Sequence, residues 1–405
     1  MICCKTQYLT KKRRGVMLIK ELKVSGLLSF GPEGMTLPLG NLNALIGPNG
    51  SGKSNFLEVL ALLKAAPTNL PAPVKEMGGV REWLWKPASA VPEATIEAII
   101  EYVGARQPLR HGLVMADHSG RFEVVDEWIE NEKPNPGRTN PYVFYRFQRG
   151  NPVLGEPQAQ AMERQLRREN VKPEQSVLSQ IRDPERYPAL GWLQERYEQI
   201  RLFRSWTFGP TAPLRREQST HGRSDFLVDG GENLALVLSK IRSRIKPDLI
   251  EALRELYEGV EDVNFQIDGG NVLLFLEERG GREIPATRLS DGTLRYLCLL
   301  AILLHPDPPP LIAIEEPELG LHPDIIPQVA KLLVAASERT QLVVTTHSDV
   351  LVDALTRQPD SVIVCEKVDG ESQFRRLDAD QLKDWLEKYT LGQLWSMGEI
   401  GGNRW

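Results

Sequence analysis

The chain has 405 residues, 41% hydrophobic and 25% charged, a balance that excludes wholesale disorder and, at about 150 residues per domain, leaves room for two or three domains or lobes. Its net charge of −5 excludes a polycation built to coat nucleic acid, so any such contact must come from a local patch. No apolar run approaches the roughly 18–20 residues that a spanning helix needs, which excludes a membrane partner.

Residues 1–16 carry Lys5, Lys11, Lys12, Arg13 and Arg14 with no apolar stretch behind them. They read as a disordered extension, with a basic nucleic-acid arm as the alternative and the folded chain starting near Met17. Leu18–Val24 alternates apolar and charged residues and predicts an edge-like strand. Asn43–Ile46 predicts a short apolar strand, and Phe56–Lys64 a helix with Phe56, Leu57, Leu60 and Leu63 on one side. Residues 67–92 hold five prolines and read as an irregular excursion. Ala94–Val103 and Arg121–Ile129 predict strands of an antiparallel region.

Between Arg138 and Arg216 aromatics, Gln and Arg increase, and Gln158–Arg168 has helical composition. This stretch carries 14 Lys+Arg against 8 Asp+Glu, locally basic in an acidic chain. A second helical block is predicted at Glu232–Val260, and strand character returns at Asn271–Glu277. Leu294–Leu304 predicts a buried helix, Leu311–Ile314 and Leu342–Thr346 apolar strands with a helix at Ile325–Ser337 between them, and Ser361–Cys365 a further strand. Alternation of this kind predicts a parallel, helix-covered sheet. The cysteines Cys3, Cys4, Cys298 and Cys365 show neither metal-ligand spacing nor a disulfide framework, which suits a reducing cytoplasm.

Gly47-Pro48-Asn49-Gly50-Ser51-Gly52-Lys53-Ser54 fits G-x-x-x-x-G-K-[ST] in full and sits between the predicted strand and helix. Glycines let consecutive N–H groups curl around phosphates without a Cβ in the way. Lys53 places a cation on the β- and γ-phosphates, the Ser54 hydroxyl can ligate Mg2+, and the helix adds its positive dipole end. A glycine turn that binds nothing would not account for the Lys-Ser pair in this context. Leu311-Ile312-Ala313-Ile314-Glu315-Glu316 supplies the complement. Glu315 would orient Mg2+ and Glu316 would polarise the attacking water. The bland alternative, a cap or solvated acidic turn, suits Glu318 better.

Four motifs then stand in a fixed order: Gly47–Ser54; Leu289-Ser290-Asp291-Gly292-Thr293; Ile314-Glu315-Glu316-Pro317-Glu318 with Gly320-Leu321-His322-Pro323; and Thr345-Thr346-His347-Ser348. In this order the chain resembles ABC-type ATPase heads. Within them it looks like the OLD-like and RecF-like AAA-type ATPases, relatives of the SMC heads, through Ser54-Asn55-Phe56, the Gly-Leu-His-Pro D-loop and the Thr-Thr-His-Ser switch. The resemblance implies an α/β fold: a mixed central sheet flanked by helices, an antiparallel β subdomain and an inserted helical lobe. It also implies ATP and Mg2+ as cofactors, and Asn55 beside the phosphate loop. Two copies would sandwich ATP, with Ser290, Asp291 and Gly292 of one facing the γ-phosphate of the other. Gly320–Pro323 would cross the seam, and His347 would act as the γ-phosphate switch.

The chain divides accordingly into residues 1–16, an N-terminal half of the head at 17–135, a basic helical lobe at 136–262, a C-terminal half at 263–370 and an aromatic tail at 371–405. Glu315 stands where many relatives have Asp, the signature reads Ser-Asp-Gly rather than Ser-Gly-Gly, and slow turnover is expected. OLD nucleases proper carry a C-terminal TOPRIM domain, and too few residues follow Gly370 to make one. The implied role is genome maintenance or anti-phage defence on DNA, or else ATP-gated control of a separately encoded nuclease-like effector. Phe144, Tyr145, Phe147, Trp192, Tyr197, Phe203 and Trp206 in the basic stretch read either as a nucleic-acid surface or as the lobe's own core. Arg204, Arg215 and Arg216 read as facing a nucleotide or a partner protomer. The tail, with Trp385, Trp395 and Trp405, reads as docked on its own head or as an anchor for a partner protein.

Overall fold

A computed structural model describes residues 17–86, 93–148, 151–155, 163–165 and 172–402. The extension 1–16 and Trp405 lie outside the described residues.

The central sheet has six strands in the order Arg201–Phe203, Leu311–Glu315, Gln341–Thr346, Leu42–Ile46, Val362–Val368 and Glu371–Arg376. The first five run parallel and the last antiparallel. Its inner strands Leu42–Ile46, Leu311–Glu315 and Gln341–Thr346 are buried on both faces, and the two-residue period sorts them. Leu45, Leu311, Ala313, Val343, Ile363 and Cys365 join one core. Ala44, Ile46, Ile312, Ile314, Leu342, Val344, Val362 and Val364 join the other.

On the first face lies the helix Lys53–Ala65, with Phe56, Leu57, Val59, Leu60, Leu62 and Leu63 all buried. It is apolar nearly all round because an eight-stranded sheet shares its core. That sheet is antiparallel throughout, in the order Met35–Pro38, Ile19–Ser25, Glu93–Ile100, Leu109–His118, Arg121–Asn131, Val143–Gln148, Asn151–Gly155 and Glu163–Gln165. Buried Gln341 stitches the two sheets together, accepting from Leu18 N and Ile19 N and donating to Ile19 O and Gly40 O. On the second face pack Leu234–Leu256, Asp291–Leu303, Ile326–Ser337 and Leu391–Met397. A smaller sheet, Gln218–Ser219, Val260–Asp268, Asn271–Glu278 and Arg282–Pro285, completes this side.

Several expectations change. The edge-like strand is internal, because Met35–Pro38 covers its free side. The described part of the proline-rich excursion, residues 67–86, contains two short helices, Pro71–Glu76 and Val80–Trp83, the first opened by Pro71 at a position where no N–H is needed. Leu109–His118, not anticipated, pairs with strands on both sides. Residues 136–262 divide among all three sheets and the helices between them. Within Gln158–Arg168 the described positions, Glu163–Gln165, are a strand rather than helix; the others lie outside the described residues.

Candidate functional site

Parallel strands deliver their C-terminal ends to one edge of the sheet, which here brings Gly47, Glu315, His347 and Arg204 into line. Strand Leu42–Ile46 runs into the glycine loop. Gly47 has φ 148°, and a Cβ there would lie 2.1 Å from Cys365 O. Gly52, at φ 100°, caps the helix, and its Cβ would lie 2.2 Å from Ser372 Oγ. Both positions therefore require glycine. Asn49 and Gly50 form the exposed crown between the half-buried Pro48 and buried Ser51. The Ser51 hydroxyl is buried without a hydrogen-bond partner among the described residues. Lys53 Nζ donates to Gly47 O at 2.8 Å and Pro48 O at 3.0 Å. Asn55 Nδ2 donates to Ser29 Oγ, an anchor for the loop's base.

The carboxylate strand places Glu315 Oε1 2.5 Å from the Ser54 hydroxyl. Its other oxygen, Oε2, accepts from Arg204 Nε at 3.2 Å, and Arg204 also pairs with Glu58 at 2.7 Å. Hydroxyl and carboxylate oxygens brought together in this way suit a hard divalent cation. The extra methylene of Glu315 is taken up by reaching across to the helix. An orphaned serine hydroxyl in a glycine loop that opens a helix suits phosphate oxygens. The residues present therefore fit a magnesium nucleotide.

Glu316 turns away from the strand at φ 45°, a conformation costing a non-glycine residue on the order of 1 kcal/mol. The site over-determines it: Glu316 N donates to Thr345 O and Oγ1, and Glu316 O accepts from Arg295. Its side chain thereby reaches His347, with Oε1 3.5 Å from Nε2. Arg295 is buried under Trp206 and Phe208, and that burial lowers its pKa. Glu318 is not a solvated turn. It accepts from Thr346 Oγ1 at 2.6 Å and His347 N at 2.9 Å, so it holds the turn that carries His347; burial raises its pKa against the pull of these donors. Its spacing after Glu316 carries no signal for this role.

Ser290 caps the helix Asp291–Leu303, its hydroxyl accepting from Thr293 N at 3.0 Å. Buried Arg215 holds the turn by donating to Gly209 O, Ala286 O, Leu289 O and the Asp291 carboxylate. The Arg215 guanidinium and Gly209 N keep the Asp291 carboxyl below its usual range. Gly292 lies beside Gly320 of the D-loop, where Leu319 and His322 are exposed. Among the described residues no hydrogen bond joins Ser290, Asp291 or Gly292 to the phosphate loop.

The aromatics of the basic stretch are largely interior. Tyr145, Phe147, Tyr197 and Phe203 are buried, and Trp192 is partly buried against Tyr102. In the tail, helix Leu391–Met397 packs on Asp349–Ala354, with buried Trp395 donating to Gly402 O. Trp385 and Tyr389 stay 43% and 39% exposed.

A parallel sheet presenting this loop, two strand-end acids and a histidine, backed by an antiparallel sheet, has the fold of an ABC-type P-loop ATPase head. More particularly, the fold is that of an SMC-like head. Residues 42–94 and 209–353 match the family described as "AAA domain, putative AbiEii toxin, Type IV TA system". The SMC head bound to the C-winged helix domain of ScpA is similar with a TM-score of 0.55 at 15% identity, over 90% of this chain and 99% of that one. The Pyrococcus furiosus SMC head with an extended coiled coil, bound to the C-terminal domain of ScpA, gives 0.54 at 14% identity, over 92% and 99%. No curated protein matches the chain in sequence. Among the described residues no helix is long and apolar enough to cross a membrane.

Proposed function

We propose that this protein binds Mg-ATP at Gly47–Ser54, sandwiches it between two copies, and hydrolyses it slowly. The observation that carries this reading is the pairing at one sheet edge of Ser54 with Glu315 at 2.5 Å and Glu316 with His347 at 3.5 Å. Magnesium, held by Ser54 and Glu315, would neutralise charge on the transferred phosphoryl group. Lys53 exchanges the Gly47 and Pro48 carbonyls for phosphate oxygens, a stronger charge-assisted bond. Glu316 takes the proton of the attacking water, and His347 orients that carboxylate and senses the γ-phosphate. The exposed Ser290 turn and the helix behind it would supply the partner copy's contacts to that phosphate. In Glu316→Gln, ATP binding should persist while turnover falls by about 10³-fold, read by single-turnover hydrolysis and filter retention of labelled ATP. Equal turnover would remove Glu316 from the mechanism.

The Ser54-Asn55-Phe56, Gly320–Pro323 and Thr345–Ser348 stretches support an OLD-like, RecF-like placement, and with it DNA-related genome maintenance or anti-phage defence. The toxin–antitoxin wording of the matching family favours the defence side. A second reading, an ATP-gated module that controls a separately encoded nuclease-like effector, draws on the interior aromatics and the exposed Trp385 and Tyr389. The SMC heads bound to ScpA are similar folds that engage a protein partner. ATPase stimulation by DNA that vanishes with salt would favour the first reading. Pull-down of an effector lost on Trp385→Ala would favour the second.

A further inference from the structure

Arg204 lies just beyond the edge strand Arg201–Phe203, next to the carboxylate strand. Its backbone N–H donates to Asp229 at 2.7 Å, which anchors the residue at the end of the strand. Nη1 meets Glu58 at 2.7 Å and Nε meets Glu315 at 3.2 Å. Glu58 follows Ser54 by four residues on the same helix, which stacks both on one face. The three charged side chains are only 23%, 7% and 20% exposed, so screening by solvent is weak. Without Arg204, two carboxylates would face each other beside a serine hydroxyl, a donor set that draws in a divalent cation.

We propose that Arg204 is a built-in counter-cation that keeps the Glu58–Glu315 pair from holding a divalent metal until nucleotide phosphate arrives. With Arg204 in place, a metal beside Ser54 meets one carboxylate oxygen, Glu315 Oε1, whose partner oxygen is already engaged. Phosphate oxygens must supply the remaining ligands, which makes metal and nucleotide binding interdependent. Arg204 is thus a positioning residue, acting through Glu315.

The inference rests on the nucleotide-site reading, yet its test has a nucleotide-free arm that stands alone. Mn2+ is the probe, followed by electron paramagnetic resonance on the full chain. Without nucleotide, Arg204→Gln should hold Mn2+ about tenfold or more tighter than the unmodified chain. Adding Glu58→Gln should abolish that gain, and Arg204→Lys, which keeps a cation, should restore most of the block. Equal nucleotide-free retention by the unmodified chain and Arg204→Gln overturns the proposal, as does a gain that survives Glu58→Gln. Should Arg204→Gln fail to fold by circular dichroism, Glu58→Gln alone decides. Arg204 then pairs with Glu315 only, and ATP-supported Mn2+ binding should weaken several-fold; an unchanged affinity is contrary. Failure of the unmodified chain to bind Mn2+ even with ATP would instead sink the nucleotide-site reading.

Discussion

The glycine loop and the stretch Arg201–Arg216 serve the same sheet edge in different ways. In the loop, position and role come from consecutive residues: a strand, eight loop residues and a helix supply one another's geometry. Arg204 and Arg215 act mainly through residues distant in sequence. Arg204 reaches Glu315, 111 positions away, and Arg215 reaches Asp291, 76 away. The residues proposed to hold phosphate are consecutive, whereas the scaffolding around them is assembled from distant segments.

That contrast should separate variants by what they break. Arg215→Ala strands three backbone carbonyls beside the half-exposed Asp291 carboxylate, and should cost about 3 kcal/mol of stability. Thermal unfolding measures it, and a loss under about 1 kcal/mol would mean the signature turn does not depend on this support. Lys53→Ala strands the Gly47 and Pro48 carbonyls, so it should cost less stability than Arg215→Ala while ATP affinity falls by about 2–3 kcal/mol, roughly a hundredfold. Titration calorimetry reads this, and a large stability loss with intact affinity would invert the comparison.

The smallest effect is expected at Glu318, which belongs to both categories. Burial raises its folded pKa above the unfolded value, so the folded state holds its proton more tightly. Stability from this group is therefore greatest below the unfolded pKa and declines as pH rises through the folded one. Glu318→Gln keeps an acceptor for Thr346 and His347 without the buried charge. It should gain about 1 kcal/mol at pH 7 and nothing near pH 4. Denaturant unfolding at the two pH values checks this, and an equal change at both would assign the effect to packing.

Most of the head was readable because its signals are short-range. Leu311–Glu315 and Gln341–Thr346 are apolar runs bounded by turns, and Ser290 is a serine directly before a helix. Leu109–His118 was not foreseen, since its interior breaks alternation with a buried His111 and Gly112 that packs on Trp128. Nor could composition assign the basic stretch, because an arginine facing Glu58 and one facing water look alike in a sequence. Periodicity alone likewise does not distinguish a docked Trp395 from an exposed Trp385.

The central claim is that ATP joins two copies of this chain, and light scattering on Glu316→Gln tests it most directly. With Mg-ATP the mass should double from 45.6 kDa and return to that value when Lys53→Ala is added. A protein that binds ATP and still weighs 45.6 kDa would contradict the account.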